Sequence, residues 1–91
     1  MAKFHQGQQI LIPADVGSGP FPGEVLVTFE TTRGPVSGFV DNAIVEKRGG
    51  KDYVRATVQE VEADAVTVWV TGSFFNTNGL AQLPIEAGLA A

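Results

Sequence analysis

The sequence predicts an all-β fold, a small and partly open β-barrel of five to seven short antiparallel strands joined by long loops. Three observations carry that reading. Apolar and polar residues alternate over short runs, β-branched residues fill the apolar positions, and glycine or proline interrupts the chain before any helical period is sustained. Helix is expected only in short pieces. At 91 residues the chain is long enough for one domain around one apolar core. The boundaries drawn are a barrel domain over residues 1–84 and a C-terminal tail over 85–91.

Gln8-Gln9-Ile10-Leu11-Ile12 reads as a first strand, closed by Pro13, which has no N–H to give to a ladder. The stretch from Ala14 to Gly23 reads as a loop. Glu24–Thr31 follows as a half-buried strand, with Val25, Val27 and Phe29 on one face and Glu24, Thr28 and Glu30 on the other beside Leu26. After the turn Thr32-Arg33-Gly34-Pro35 comes Val36–Val40, and after Asp41-Asn42 the apolar piece Ala43-Ile44-Val45.

The clearest hairpin joins Tyr53–Val61 to Val66–Thr71. Placing Val58 opposite Val68 gathers Val54, Ala56, Val58, Val66, Val68 and Val70 on one face. Tyr53, Arg55, Thr57, Gln59, Thr67, Trp69 and Thr71 then share the other, and a slip of one residue would exchange the two sets. That register implies a three-residue loop Glu62-Ala63-Asp64 with Asp64 in the left-handed region, which Asp tolerates better than most residues. Gly72–Gly79 reads as a turn-rich loop holding Phe74 and Phe75, and Leu80–Pro84 as a last short strand or edge. No internal repeat, low-complexity tract or linker is legible.

The totals limit the function. Without cysteine there is neither a disulfide framework nor a thiolate zinc site. The N-terminus lacks the charged-then-apolar pattern of a signal peptide, and no apolar run approaches the roughly 18 residues of a membrane span, so a soluble cytoplasmic protein is expected. The formal net charge is −4, and the cations are scattered or gathered in Lys47-Arg48-Gly49-Gly50-Lys51, which disfavours nucleic acid. Charged residues are 18% of the chain, against roughly 25% in an average domain. Some apolar surface is therefore expected to face another molecule.

Two stretches resemble the Src-homology-type small β-barrel. Gly38-Phe39-Val40-Asp41-Asn42-Ala43-Ile44-Val45-Glu46 is similar to the glycine, two apolar residues, short helical turn and valine strand that close such barrels, and Val54–Val61 is similar to their long opening strand. Together they cover about a fifth of the chain. The early Ala-Leu-Tyr strand of the peptide-binding members is absent, and Asp41 stands where they usually have proline. The resemblance implies architecture and carries over no binding residue.

Several residues invite chemistry. His5, the one histidine, sits in an N-terminal arm where an exposed residue is the plain reading. Glu60, Glu62 and Asp64 would align at roughly 7 Å intervals on a strand, a spacing open to calcium or to acid–base work and equally to a solvated hairpin tip. Lys47, Arg48 and Lys51 suit an anion or a soluble turn. Gly17-Ser18-Gly19 lacks the Gly-Lys-Ser/Thr of a phosphate loop. No cofactor or metal is expected.

Aromatic residues are the better candidates. Phe21 lies in a loop stiffened by Pro20 and Pro22, either as an exposed binding tip or as a lid on an open barrel end. Phe74 and Phe75 are neighbours, so in extended chain one is expected in the core and the other at an interface. Tyr53, Arg55 and Trp69 share a face of the kind enriched at interfaces, or form a second layer of core. The function expected is a non-enzymatic module that binds or self-associates through these residues, with a homo-oligomer as its form and another protein or a small molecule as further partners. The competing class is an enzyme or small-molecule-binding protein whose site forms between subunits, drawing on Gln59, Tyr53 or His5.

Overall fold

Two antiparallel sheets enclose the apolar core, and the computed structural model describes residues 3–75 and 77–91 of the chain. Ten strands are present among the described residues: β1 (Gln9–Pro13), β2 (Asp15–Ser18), β3 (Glu24–Thr31), β4 (Gly34–Asp41), β5 (Val45–Arg48), β6 (Lys51–Val61), β7 (Ala65–Trp69), β8 (Ser73–Phe74), β9 (Leu80–Pro84) and β10 (Leu89–Ala90). The count passes the expected five to seven because β2, β8 and β10 are pieces of two to four residues. Among the described residues helix is limited to 3-10 turns at Asn42–Ile44 and Ile85–Ala87.

The larger sheet runs β10-β1-β6-β7-β9, and β6 also pairs with β5. At 11 residues β6 is long enough for one edge to hold β5 at its start and β7 at its end, while the other edge holds β1. Gly49 and Gly50, with φ of 58° and 80°, form the two-residue turn that returns β5 into β6, a conformation other residues resist. The smaller sheet runs β2-β3-β4-β8.

Chain segments that bend from one sheet into the other make the corners. Between β1 and β2 only Ala14 intervenes, and its N–H donates to the Asp52 carbonyl at 3.1 Å. A strand therefore lies inside the segment that reads as a loop from Ala14 to Gly23, where the glycines and prolines hide a short pairing segment. On the far side the sheets meet through Thr32, whose N–H donates to the Gln82 carbonyl and whose hydroxyl donates to Gln82 Oε1. Those two bonds stand in for a ladder, so the barrel is partly open.

The hairpin of β6 and β7 has Val58 opposite Val68 and Thr57 opposite Trp69, and Val54, Ala56, Val58, Val66, Val68 and Val70 all lie in the core. Its far end departs from the expected loop. Gln59 forms a bulge, Glu62 N–H donates to the Ala65 carbonyl, and the turn narrows to Ala63-Asp64. Among the described residues only glycines have positive φ, so Asp64 is not left-handed. The bulge absorbs the extra residue that the three-residue loop would have held.

Residues 85–91 form a turn and a strand instead of a tail, with Leu89 opposite Leu11 and Ala90 opposite Ile10. This pairing completes a repeat of topology. The strand β1–β2 takes β10 and then β3 along one edge, as β6 takes β5 and then β7. The hairpin β3–β4 leads through a 3-10 turn into β5, as β7–β9 leads through a 3-10 turn into β10. Gly34 and Gly79, with φ of 102° and 105°, stand at the entries to β4 and β9. Each half thus lends its last strand to the other. The segment Gly38–Glu46 runs strand, 3-10 turn, strand.

Inside, Ile10, Ile12, Val27, Val54, Val66 and Val68 are among the fully buried side chains. Gly38 is required where β8 crosses β4, since a Cβ there would lie 2.5 Å from Phe74 Cδ1 and from the Ser73 carbonyl oxygen. Gly38→Ala is expected to lower stability by about 1–3 kcal/mol through this overpacking. Thermal unfolding followed by circular dichroism checks it. An unchanged melting temperature would show that the Phe74 contact has room to yield.

Candidate functional site

The small sheet buries one face and exposes the other. Val27, Phe29, Val36 and Val40 point into the core, so the register sets Glu24 opposite Asp41, Leu26 opposite Phe39, Thr28 opposite Ser37 and Glu30 opposite Pro35 on the outside. The Thr28 and Ser37 hydroxyls hydrogen-bond across that face at 2.8 Å. Alternation thus lifts Leu26 and Phe39 out of the core and places them side by side.

β8 adds the third member. Phe74 turns inward, edge-on to Phe29 with ring centroids 6.1 Å apart, and Phe75 turns outward to meet Phe39 edge-on at 5.5 Å. Phe75 remains 66% exposed. Leu26, Phe39 and Phe75 therefore form one apolar patch, bordered at one end by the exposed carboxylates of Glu24 and Asp41. Beside it, the loop holding Phe21 closes on the sheet through Glu24 N–H to the Phe21 carbonyl at 3.1 Å, and the ring is 68% exposed. Phe21 is no lid.

The larger sheet has its own outer face. There Tyr53 lies between Pro13 and Glu46, and Arg55 between Leu11 and the end of β5. Arg55 Nη1 donates to Gln9 Oε1 at 3.1 Å, while its Nη2 lies 3.8 Å from Glu46 Oε1. Arg48 Nε stands 3.3 Å from Glu46 Oε2, close enough for an ion pair though not aligned as a hydrogen bond. Leu11 is fully buried beneath this polar cover, and Tyr53 nearly so. Tyr53 and Arg55 thus share a face as second-layer packing. Trp69 lies one row further along the same face, opposite Thr57 and diagonal to Arg55, and pairs with Leu80, both partly exposed.

A cleft of about 500 Å³ opens where β1 bends into β2, lined by buried Phe29 and Leu83 and by Asp15, Glu30, Lys51 and Asp52. Its size falls in the range of small-molecule sites. Asp52 is held by Lys47 at 3.2 Å. Among the described residues no three His, Cys, Asp or Glu side chains are placed to hold a metal ion, and no helix is long and apolar enough to cross a membrane. His5 is exposed, and Glu60, Glu62 and Asp64 lie at the bulged, turning end of the hairpin, where Glu62 accepts a bond from Gln82 Nε2.

Comparison with known proteins leaves the geometry to stand alone: no family model, curated protein or solved structure matches the chain.

Sequence reasoning picked out Phe21, Phe74 and Phe75 and missed Phe39 and Leu26, the residues that make Phe75 part of a surface. The signal was present. Phe39 alternates against Val36, Gly38 and Val40, and Leu26 stands among Glu24, Thr28 and Glu30. Phe75→Ser should cost less than about 1.5 kcal/mol, the upper value of one aromatic edge contact. Phe29→Ala should cost about 3–5 kcal/mol by opening the core. Urea denaturation of the two variants measures the contrast, and equal losses would place Phe75 in the core.

Proposed function

We propose that this protein is a non-enzymatic binding module that self-associates through the outer face of its small sheet. The observation that supports the reading is the Leu26–Phe39–Phe75 patch, with Phe75 and the neighbouring Phe21 each about two-thirds exposed. Large aromatics left in water on a rigid sheet are costly unless another surface covers them. Burying one contributes on the order of 1.5–3 kcal/mol, so a few such contacts can exceed the rigid-body cost of association. Aromatic residues are also the side chains that most often anchor interfaces.

The small sheet is suited to the task. β3 and β4 pair over their full length, so Leu26 and Phe39 are fixed before a partner arrives and little conformational freedom is lost on binding. Phe21 is held by a loop whose ends are tied to β3 and to the Asn42 N–H, which donates to the Gly23 carbonyl at 2.7 Å.

Light scattering after size exclusion tests the reading over a concentration series. The native chain is expected to associate, and Phe39→Ser combined with Phe75→Ser to shift it to monomer without lowering its melting temperature by more than a few degrees. A native protein that stays monomeric at high micromolar concentration would overturn the proposal, as would an assembly indifferent to both substitutions.

A further inference from the structure

We infer that the second copy docks head to tail, the phenylalanine face of one chain covering the Leu89 face of the next, and this rests on the self-association proposed above. Charge decides between this contact and a two-fold one. Next to Leu26 and Phe39 the patch is rimmed by Glu24 and Asp41, directly opposite each other, and neither has an ion-pair partner among the described residues. Asp15 and Glu30 stand at the other end of the same face, bordering the cleft that Lys51 also lines. Arg33 lies beyond them in the hairpin turn. Two copies meeting through this face about a two-fold axis would set an acidic rim against itself, and like charges brought together across an interface are strongly disfavoured.

The outer face of the larger sheet offers the opposite sign. Four of the six cations, Lys47, Arg48, Lys51 and Arg55, cluster on β5, β6 and their turn. Glu46 and Asp52 are the acids among them: Glu46 is shared by Arg48 and Arg55, and Asp52 is taken by Lys47. Lys3 Nζ donates to the Gly88 carbonyl at 3.2 Å at the entry to β10, after the turn that holds Glu86. The cluster is left with an excess of positive charge, and Lys51 has no ion pair among the described residues. Beside it on the edge strand, Leu89, 40% exposed and paired with Leu11, provides an apolar spot, and Arg48 Nη1 donates to the adjacent Ala90 carbonyl at 3.3 Å.

The Trp69–Leu80 pair is the other apolar spot on this sheet. Its charged neighbours are mixed, with Arg55 diagonal on one side and Glu60 on the other, so it gives an acidic rim no preference. Because the two complementary faces belong to opposite sheets, each bound copy leaves one of each kind free. Assembly continues until a ring closes or grows as a filament, and a closed dimer is not its end point.

Two variants of the full chain test this, Phe39→Ser with Phe75→Ser removing one face and Arg48→Glu with Leu89→Ser removing the other. Each alone is expected to be monomeric by light scattering, and an equimolar mixture to form a dimer and nothing larger, since one intact pair of faces remains. Melting temperatures confirm that both variants fold. Lys51→Glu, at an exposed and unpaired position, should weaken native association several-fold, and so should about 1 M salt, where the screening length is roughly 3 Å. A mixture that stays monomeric, or an Arg48→Glu with Leu89→Ser protein that assembles like the native chain, overturns the head-to-tail contact. If the second case holds while the phenylalanine substitutions still dissociate the protein, the proposed function stands and only its geometry falls. A native chain that never associates overturns both.

Discussion

The pairing of β1 with β6 is the constraint on which the rest of the molecule depends. It sets Ile10 opposite Ala56, Leu11 opposite Arg55 and Ile12 opposite Val54, and joins the two topologically equivalent halves along their central strands. Ile10, Leu11, Ile12 and Val54 are completely buried. A slip of one residue here would turn the core-facing isoleucines outward on one side and drive Leu11 inward, against two sheets already packed. Each central strand also receives the last strand of the other half, β5 on β6 and β10 on β1. No half completes its own sheet, so the domain holds together as one cooperative unit.

That arrangement leaves a functional consequence at the surface. Two sheets that share one core must each present an outer face, and in a chain this short there is little polar sequence to cover both. Around Leu11 the larger sheet does so with Arg55, Glu46, Arg48 and Gln9, though Trp69, Leu80 and Leu89 stay partly exposed elsewhere on it. On the smaller sheet half-buried Leu26 and Phe39 adjoin the exposed Phe75, with carboxylates rather than cations at their margin. The proposed self-association and its proposed charge preference rest on the same piece of geometry.

The fold class was legible because it depends on local rules. Alternation at Glu24–Thr31 and Tyr53–Val61 marks half-buried strands, and Gly49-Gly50 marks a tight hairpin through its need for positive φ. The core face of the β6–β7 hairpin followed from valine spacing alone. Long-range decisions were less visible. β2 pairs within a segment rich in glycine and proline, because its partner β3 is strong enough to hold a weak strand. Residues 85–91 pair because β1 has a free edge waiting, which nothing in Leu89-Ala90-Ala91 announces. The repeat of topology escaped notice because the two halves share strand pairings and turn positions rather than residues.

Of the candidate site, the sequence by itself determined which residue types were available: aromatics near loops, a small acidic excess, one histidine and no cysteine. Those totals do not say where on the fold these residues meet. Only the tertiary structure decided that Phe74 closes the core while Phe75 meets Phe39, since the choice rests on the crossing of β8 over Gly38. It also packed Tyr53 beneath its neighbours while leaving Trp69, diagonal to Arg55 on the same face, partly exposed. The physical reason is common to both cases. A strand's period settles which side a residue takes, whereas what it meets on that side is settled by strands distant in sequence.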